Sequence, residues 1–313
     1  MRTAPLIEKK TLVLDRLPGE PFEIPYAHIE GRRGAGPHLT LLAGMHGGEY
    51  TSMAAVRRFI AEVDVDQLRG SITAVPTVNQ PSFWSRTAFV VPADGKNLNR
   101  CFPGDPDGSY SEAMAHAVFT AFIRPADYLV DLHAGDIFEA LEPFCLYEES
   151  PVEDRARGMA VAYGHGHVVR QSRATRTVGG STSSAAADLG IPAIIAEIGA
   201  NGLCDEASVA GHLRGIRNVC AHLEMLPAGA AAPAPAPVEY NGWVWMRSSV
   251  QGWWQPRIAV GDDVREGDVL GSLLDPFGAE LEQVVAPADG CPLFLTSSPA
   301  VLADGLLLGL ATP

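Results

Sequence analysis

Residues 39–50 read LTLLAGMHGGEY, an apolar run followed by a glycine-rich turn that carries a histidine and a glutamate. The run from Leu39 to Ala43 predicts a buried β-strand. The residues after the turn place apolar side chains on one face of a helix over about 51–63. His46 and Glu49 therefore lie where a strand ends and a helix begins, which is the edge at which ligands bind in open α/β sheets.

His46 and Glu49 are the first candidates for a metal site. A neutral imidazole and a carboxylate are two of the three protein ligands that a catalytic zinc commonly takes, with water in the fourth position. Gly47 and Gly48 let the backbone turn sharply and leave space above such an ion. A glutamate at a helix start is also a favourable charge at the positive end of the helix dipole, so the pair alone leaves both interpretations open.

The composition indicates a globular protein without a nucleic-acid or membrane partner. Its 313 residues allow a large core or two domains. The net charge is −14 and no lysine- or arginine-rich run occurs, which argues against nucleic acid and anionic membranes as partners. Five separated cysteines predict reduced thiols. Residues 1–16 lack the apolar core of a signal peptide, and no apolar run reaches the ~18 residues of a membrane helix, so we expect a cytoplasmic protein.

Strand-like and helix-like segments alternate along the first 226 residues, which predicts an α/β domain with a mixed open sheet and helices on both faces. The expected strands cover 11–14, 22–29, 39–43, 71–75, 127–132, 168–171 and 191–198, with a Pro18-Gly19 turn after the first. The expected helices cover 51–63, 111–123, a segment that opens at Ser150-Pro151, 181–189 and 206–225. Residues 76–81 are expected to form a proline-bracketed loop and not a helix.

Residues 227–237 are mostly alanine and proline and predict a linker between an α/β domain at 1–226 and a second domain at 238–313. The second domain has strand-like runs broken by turns, which predicts a small β-barrel or sandwich. Several of its turns resemble those of a biotinyl/lipoyl-like barrel. A carrier domain needs a lysine to modify, and no lysine follows Lys96, which excludes attachment. Covering the active site or pairing subunits is the alternative role.

A third metal ligand and a general base should lie at other strand ends. His133 follows an apolar strand, and Asp131 or a backbone carbonyl could fix its tautomer; the alternative is a core histidine satisfied by backbone. Glu197 lies in the apolar run 194–198, where burial would raise its pKa toward the range of a general base. A structural ion pair with an arginine is the alternative for Glu197.

The long loop 82–108 carries Arg86, Asn99 and Arg100. A guanidinium binds carboxylates in bidentate fashion and stabilises an oxyanion. Solvated surface positions are the alternative for both arginines. Another pair, His165 and His167, lacks a third ligand or an acid and is not favoured as a metal site.

Four ordered motifs together resemble the succinylglutamate desuccinylase/aspartoacylase family, a member of the zinc carboxypeptidase-like group. The motifs are His46-x-x-Glu49, Asn99-Arg100 within Asn-Leu-Asn-Arg-x-Phe-Pro-Gly, Asp131-Leu132-His133, and Glu197 at a strand end. The resemblance spans roughly residues 20–225. It implies one zinc ion per chain, held by His46, Glu49 and His133, with Glu197 as the base. It also implies Arg86 near the oxygen of the scissile carbonyl, and Asn99 and Arg100 on a carboxylate of a small-molecule substrate.

One position departs from the family. Aspartoacylase has a further arginine ten residues before its base, for the second carboxylate of its substrate, and Ala187 occupies that position here. Arg173 and Arg176 are nearby in sequence. The departure argues against a dicarboxylic product such as aspartate.

The resulting hypothesis is a zinc-dependent amidohydrolase that acts on linear amides and cleaves a small N-acylated amino acid or a related compound. One alternative is a carboxypeptidase that acts on short peptides. Another, from a different class, is an inactive module that binds zinc or a small molecule. The sequence leaves the oligomeric state open, with a homo-oligomer as one alternative.

Overall fold

The computed structural model describes residues 6–14, 22–174 and 179–313. The predicted Pro18-Gly19 turn lies outside these residues. The first ten strands are β1 Ile7–Leu14, β2 Phe22–Glu30, β3 His38–Ala43, β4 Ser71–Val75, β5 Tyr128–His133, β6 Glu139–Leu141, β7 Phe144–Glu148, β8 His167–Gln171, β9 Ala193–Glu197 and β10 Val238–Tyr240. The helices are α1 Tyr50–Glu62, α2 Gln80–Ser85, α3 Tyr110–Val118, α4 Glu153–Tyr163, α5 Thr182–Asp188 and α6 Glu206–His222.

Nine of these strands form one open sheet in the order β1-β2-β4-β3-β5-β9-β7-β8-β10. The central strands β4, β3, β5 and β9 are parallel, whereas β7 runs antiparallel to β9, so the sheet is mixed. Alternate residues of β3 enter different cores, because Leu41 packs with α1, α4 and α6 and Leu42 packs with α3 and α5. The predicted mixed α/β sheet with helices on both faces is confirmed.

The C-terminal part is all β. Its strands are β11 Gly242–Arg247, β12 Gly252–Pro256, β13 Val269–Leu274, β14 Glu280–Val285, β15 Cys291–Thr296, β16 Ala300–Val301 and β17 Leu306–Thr312. Together with β6 they form two four-stranded sheets, β11-β17-β15-β6 and β14-β13-β12-β16. Residues of both sheets, including Trp254 and Leu308, share one hydrophobic core. This arrangement is a sandwich, which is one of the two predicted architectures.

Each of the two parts contributes one strand to a sheet of the other part. β10 pairs with β8 in the large sheet, although it follows the predicted linker. Conversely, β6 pairs with β15 in the C-terminal sheet. These pairings hold the sandwich over one end of the large sheet. The division into domains at 1–226 and 238–313 stays a prediction.

Three local predictions need correction. Residues 76–81 were expected to be a loop, but α2 begins at Gln80, because Asn79 caps it and a proline is tolerated in the first turn of a helix. α4 begins at Glu153 and not at Pro151, since Ser150 closes a turn onto Glu153 instead of capping the helix. β7 was missed because its buried residues form an apolar run without the period of two that marks a half-buried strand.

Among the described residues, no helix is both long and apolar enough to cross a membrane.

Gly47→Ala is expected to lower the free energy of unfolding by about 1–3 kcal/mol, the usual cost of overpacking a buried position. A Cβ at Gly47 would lie 2.3 Å from the backbone carbon of Ser82 in α2, so the clash cannot be relieved by a rotamer change. Thermal or urea unfolding measures the loss. Gly166→Ala is the matched control, because a Cβ at Gly166 meets no atom within 4 Å. Equal stability of the two variants would contradict this account of the turn.

Candidate metal centre and active site

The carboxyl ends of three parallel strands meet at one edge of the large sheet. β3 leads into the turn that carries His46 and Glu49, β5 ends at His133 and β9 ends at Glu197. His133 and Glu197 are register partners on neighbouring strands. Residues separated widely along the chain therefore reach one place because the strands that carry them are parallel and adjacent.

The structure brings the three predicted metal ligands together. His46 Nδ1 lies 2.6 Å from Glu49 Oε1, and His133 Nδ1 lies 3.0 Å from Glu49 Oε2. One ligand atom of each residue lies within 4.8 Å of the others. All three side chains are buried. Within the described part of the chain, this is the one group of three such residues whose ligand atoms converge.

The hydrogen bonds around the two imidazoles fit a divalent cation between them. His133 Nε2 lies 2.9 Å from Asp131 Oδ2, and His46 Nε2 lies 3.0 Å from Asn97 Oδ1. The Asn97 oxygen also accepts the Asn99 N–H, which supports its orientation. Each Nε2–H therefore donates outward, which leaves the Nδ1 lone pair of each neutral ring directed at the Glu49 carboxylate. Three electron-pair donors directed at one point are stabilised by a cation.

The charges around these three residues also favour a bound cation. Burial disfavours ionised Glu49, but the two imidazoles outweigh it and keep the pKa of Glu49 below its usual value. Burial also disfavours protonated His46 and His133, yet nearby carboxylates raise the pKa of both rings. The pocket is thus built around negative charge that attracts positive charge, whether a proton or a metal ion.

Glu197 lies beside this group and lines the same cavity. Burial raises the pKa of its carboxyl group, with the Glu49 charge contributing in the same direction. Among the described residues, no ion pair joins Glu197 to a basic side chain, so the alternative of a structural ion pair finds no partner there. A carboxyl group held close to histidines without a partner of its own is free to exchange a proton.

Asn99 and Arg100 also line the cavity. Asn99 is buried, its Oδ1 accepts the Thr182 N–H at 2.9 Å, and its Nδ2 lies 3.3 Å from His133 Nε2. Arg100 is exposed to the cavity, and its Nη1 donates to the Asn99 carbonyl at 2.7 Å. The Asn99 oxygen is thus occupied, whereas its Nδ2 faces the Nε2–H of His133 and cannot donate to it. The Asn99 Nδ2 and most of the Arg100 guanidinium can therefore still bind a ligand.

Arg86 is not brought to the cavity. It ends α2 in the left-handed region with φ 56°, its side chain is exposed, and it is not among the residues that line the cavity. Its role beside the scissile carbonyl stays a prediction. Arg173 is engaged at the surface, where it donates to the Glu149 carbonyl and to Asp188. Arg176 lies outside the described residues.

The cavity has a volume of about 1000 Å³ and extends between the large sheet and the sandwich. Sequence reasoning missed the part contributed by β11, where Trp243, Trp245 and Arg247 all line the cavity. These three residues occur at every second position, which in a strand places them on one face. The sequence shows that alternation, but nothing in the sequence indicates that this face of β11 lies toward the candidate metal ligands.

Arg247 adds a second cation to the cavity. Burial lowers the pKa of Arg100, the charges of Glu139 and Glu197 oppose this shift, and the charge of Arg247 adds to it. Both guanidinium groups belong to residues that line the same cavity. Arg247 Nη1 donates to the Asp304 carbonyl at 2.7 Å, which holds the side chain in place. Sequence reasoning also missed Glu139, a second carboxyl group that lines the cavity and whose pKa burial raises.

Comparisons with known proteins agree with this geometry. The catalytic-domain model of the succinylglutamate desuccinylase/aspartoacylase family matches residues 35–223. The N-alpha-acetyl-L-2,4-diaminobutyric acid deacetylase of Halomonas elongata is 28% identical over 252 residues, which are 78% of this chain and 72% of that protein.

Solved structures show the same fold. The product-bound ectoine utilization protein EutE (DoeB) of Ruegeria pomeroyi superposes with a TM-score of 0.86 at 23% identity, over 99% of this chain and 98% of that one. A succinylglutamate desuccinylase/aspartoacylase of Rhodobacter sphaeroides superposes with a TM-score of 0.83 at 24% identity, over 98% and 95% of the two chains. Both similarities extend through the sandwich as well as the large sheet.

Proposed function

We propose that this chain, which belongs to the succinylglutamate desuccinylase/aspartoacylase family, is a zinc-dependent deacylase that hydrolyses the amide bond of a small N-acylated amino acid. The observation that carries the proposal is the convergence of His46, Glu49 and His133 in one cavity that Glu197 also lines. The Halomonas elongata relative, a deacetylase by name, supports amide hydrolysis as the reaction class.

His46 and His133 would hold the zinc ion through Nδ1, and Glu49 through its carboxylate. Two imidazoles and one carboxylate are a common ligand set of catalytic zinc, and they leave a position for water. When bound, the ion lowers the pKa of water from about 15.7 toward roughly 7 and polarises a carbonyl oxygen. Asp131 and Asn97 orient the two rings through their Nε2–H groups.

Glu197 would move the proton. Its carboxylate accepts a proton from the water that attacks the acyl carbon, and the same carboxyl group then donates that proton to the nitrogen of the leaving amine. One group can serve in both steps because water adds to the acyl carbon after the first transfer begins, and the second transfer protonates the nitrogen as the C–N bond breaks. The partial burial of Glu197 keeps bulk water from competing for the proton.

Arg100 would bind the carboxylate of the amino-acid portion. Its guanidinium faces the cavity and is positioned by the Asn99 carbonyl. A planar guanidinium binds a carboxylate through two parallel hydrogen bonds, which fixes the orientation of the substrate. Asn99 is held in place by the Thr182 N–H, which donates to its Oδ1.

Zinc-loaded protein is expected to hydrolyse N-acyl amino acids at least about ten times faster than dipeptides, since the free amine of a dipeptide brings a charge that costs free energy to bury. Amine release from a panel of both substrate types measures the ratio. Chelation should lower the rate more than about 100-fold, and added zinc should restore it. Faster cleavage of dipeptides would favour a carboxypeptidase. No turnover of either type by zinc-loaded protein would favour an inactive binding module.

A further inference from the structure

An aromatic residue lies directly beside the candidate base. His133, Glu197 and Phe144 form one row across β5, β9 and β7, because Glu197 is the register partner of both others. Neighbouring strands are about 4.8 Å apart, and register partners point to the same face of a sheet. Phe144 therefore borders the reaction centre at a distance of one strand.

Phe144 is the first of a row of four aromatic rings that contact one another. Phe144 stacks on Trp243 with ring centroids 5.2 Å apart, Trp243 meets Trp245 at 5.0 Å, and Trp245 meets Phe294 at 5.5 Å. All four side chains line the same cavity as the metal ligands. We call Phe144, Trp243, Trp245 and Phe294 the aromatic wall.

The polar part of the cavity surface is smaller than its apolar part. Arg100 and Arg247 are the two arginines among the described residues that line it, and no described lysine lines it. Leu141, Leu146 and Ile195 also line the cavity and belong to the same hydrophobic cluster as Phe144 and Trp243. A compact polar acyl group would leave this surface against water, whereas an apolar group would bury it.

We infer that the substrate carries a bulky apolar group, such as a medium-length acyl chain or an aromatic side chain, and that the aromatic wall binds it. This inference rests on the proposed deacylase function, because it names the substrate class of the same site. The cation pair of Arg100 and Arg247 holds the anionic end, and the aromatic wall holds the apolar end. The scissile amide then lies between them, beside Glu197.

Two substrate series test the inference and identify which end of the substrate is apolar. One series varies the acyl group on alanine from acetyl through butyryl and hexanoyl to octanoyl. The other keeps the acetyl group and varies the amino acid from glycine through leucine to phenylalanine. In the series that varies the apolar end of the substrate, kcat/KM should rise about fourfold per added methylene. This factor corresponds to ~0.8 kcal/mol per buried CH₂.

The outcomes separate the inference from the function on which it rests. Turnover that is flat or falls with apolar size in both series overturns the inference and leaves the deacylase proposal intact. Absence of turnover in both series with zinc loaded contradicts the deacylase proposal itself. Binding of N-octanoyl-alanine and N-acetyl-phenylalanine to zinc-loaded Glu197→Gln protein, followed by calorimetry, gives a readout that does not depend on turnover.

Substitutions locate the effect on the aromatic wall. Trp245→Leu should lower the preference for the best apolar substrate over N-acetylglycine at least about tenfold, because a large ring surface is lost. Trp253→Leu is the matched control, since Trp253 is 58% exposed on β12 and does not line the cavity. Leu302→Glu is a second test that does not disturb the core, because Leu302 lines the cavity but is 74% exposed. An unchanged preference in both Trp245→Leu and Leu302→Glu overturns the inference.

Discussion

Glu197→Gln is expected to lower kcat by a factor on the order of 10²–10⁴, the usual contribution of a general acid–base group, while one zinc ion stays bound. Glutamine has the shape of glutamate but cannot accept the proton of the attacking water. The proposed metal ligands are His46, Glu49 and His133, so the substitution removes none of them. Steady-state kinetics with elemental analysis of the same sample measures both quantities.

Substitutions of two other glutamates make this test more specific. Glu266→Gln is the matched control, because Glu266 is exposed in the C-terminal part and the change in charge is the same. Glu139→Gln tests the rival base, since Glu139 also lines the cavity and burial raises its pKa. If Glu139→Gln lost more activity than Glu197→Gln, the base would be assigned to the wrong residue.

The convergence of His46, Glu49, His133 and Glu197 could be predicted from sequence for a topological reason. Each lies at or just after the end of an apolar strand, and in a sheet with parallel neighbours such ends share an edge. The missing information was strand order, which places β5 between β3 and β9. The resemblance to the family implied the ligand set without that order, and the distances around Glu49 agree with this set.

The opposite wall of the cavity could not be predicted in the same way. Trp243, Trp245 and Arg247 reach the site only because β10 joins the large sheet and β6 joins the sandwich. Both contacts are long-range pairings of short strands, and such pairings leave little local signal in a sequence. The predicted linker at 227–237 also indicated a separate second domain and gave no sign of this contact.

Loop residues were predicted less well than strand ends. Arg86 was assigned to the site from the resemblance, but its exposed side chain follows α2, a helix that the sequence did not predict. Asn97, which orients His46, was not singled out, although it lies two residues before Asn99. The position of a side chain in a long loop depends on the contacts of that loop and not on a repeating backbone geometry. Cytoplasmic location and the absence of nucleic-acid and membrane partners stay predictions, and the oligomeric state stays open.

His133→Ala is expected to weaken zinc binding by more than about 100-fold, since the loss of even an outer-shell partner of a ligand costs 10–100-fold. His133 contributes one of three ligand atoms and is held by Asp131 and Glu49. Elemental analysis after dialysis against a weak chelator should find about one zinc per wild-type chain and almost none in the variant. His222→Ala is the matched control, because His222 is exposed at the end of α6 and does not line the cavity.

The same variant tests whether zinc stabilises the fold. Because zinc binds the native site, a concentration of 100 times its Kd should stabilise the wild-type protein by about 2.7 kcal/mol. His133→Ala also removes a buried ring and so lowers stability without any metal, which makes the absolute melting temperature a poor measure. The shift on adding zinc separates the two effects: it should be present in the wild-type and His222→Ala proteins and nearly absent in His133→Ala. Full zinc occupancy and an undiminished shift in His133→Ala would mean that the ion is held elsewhere, and the assignment of Glu197 as its neighbouring base would then lose its basis.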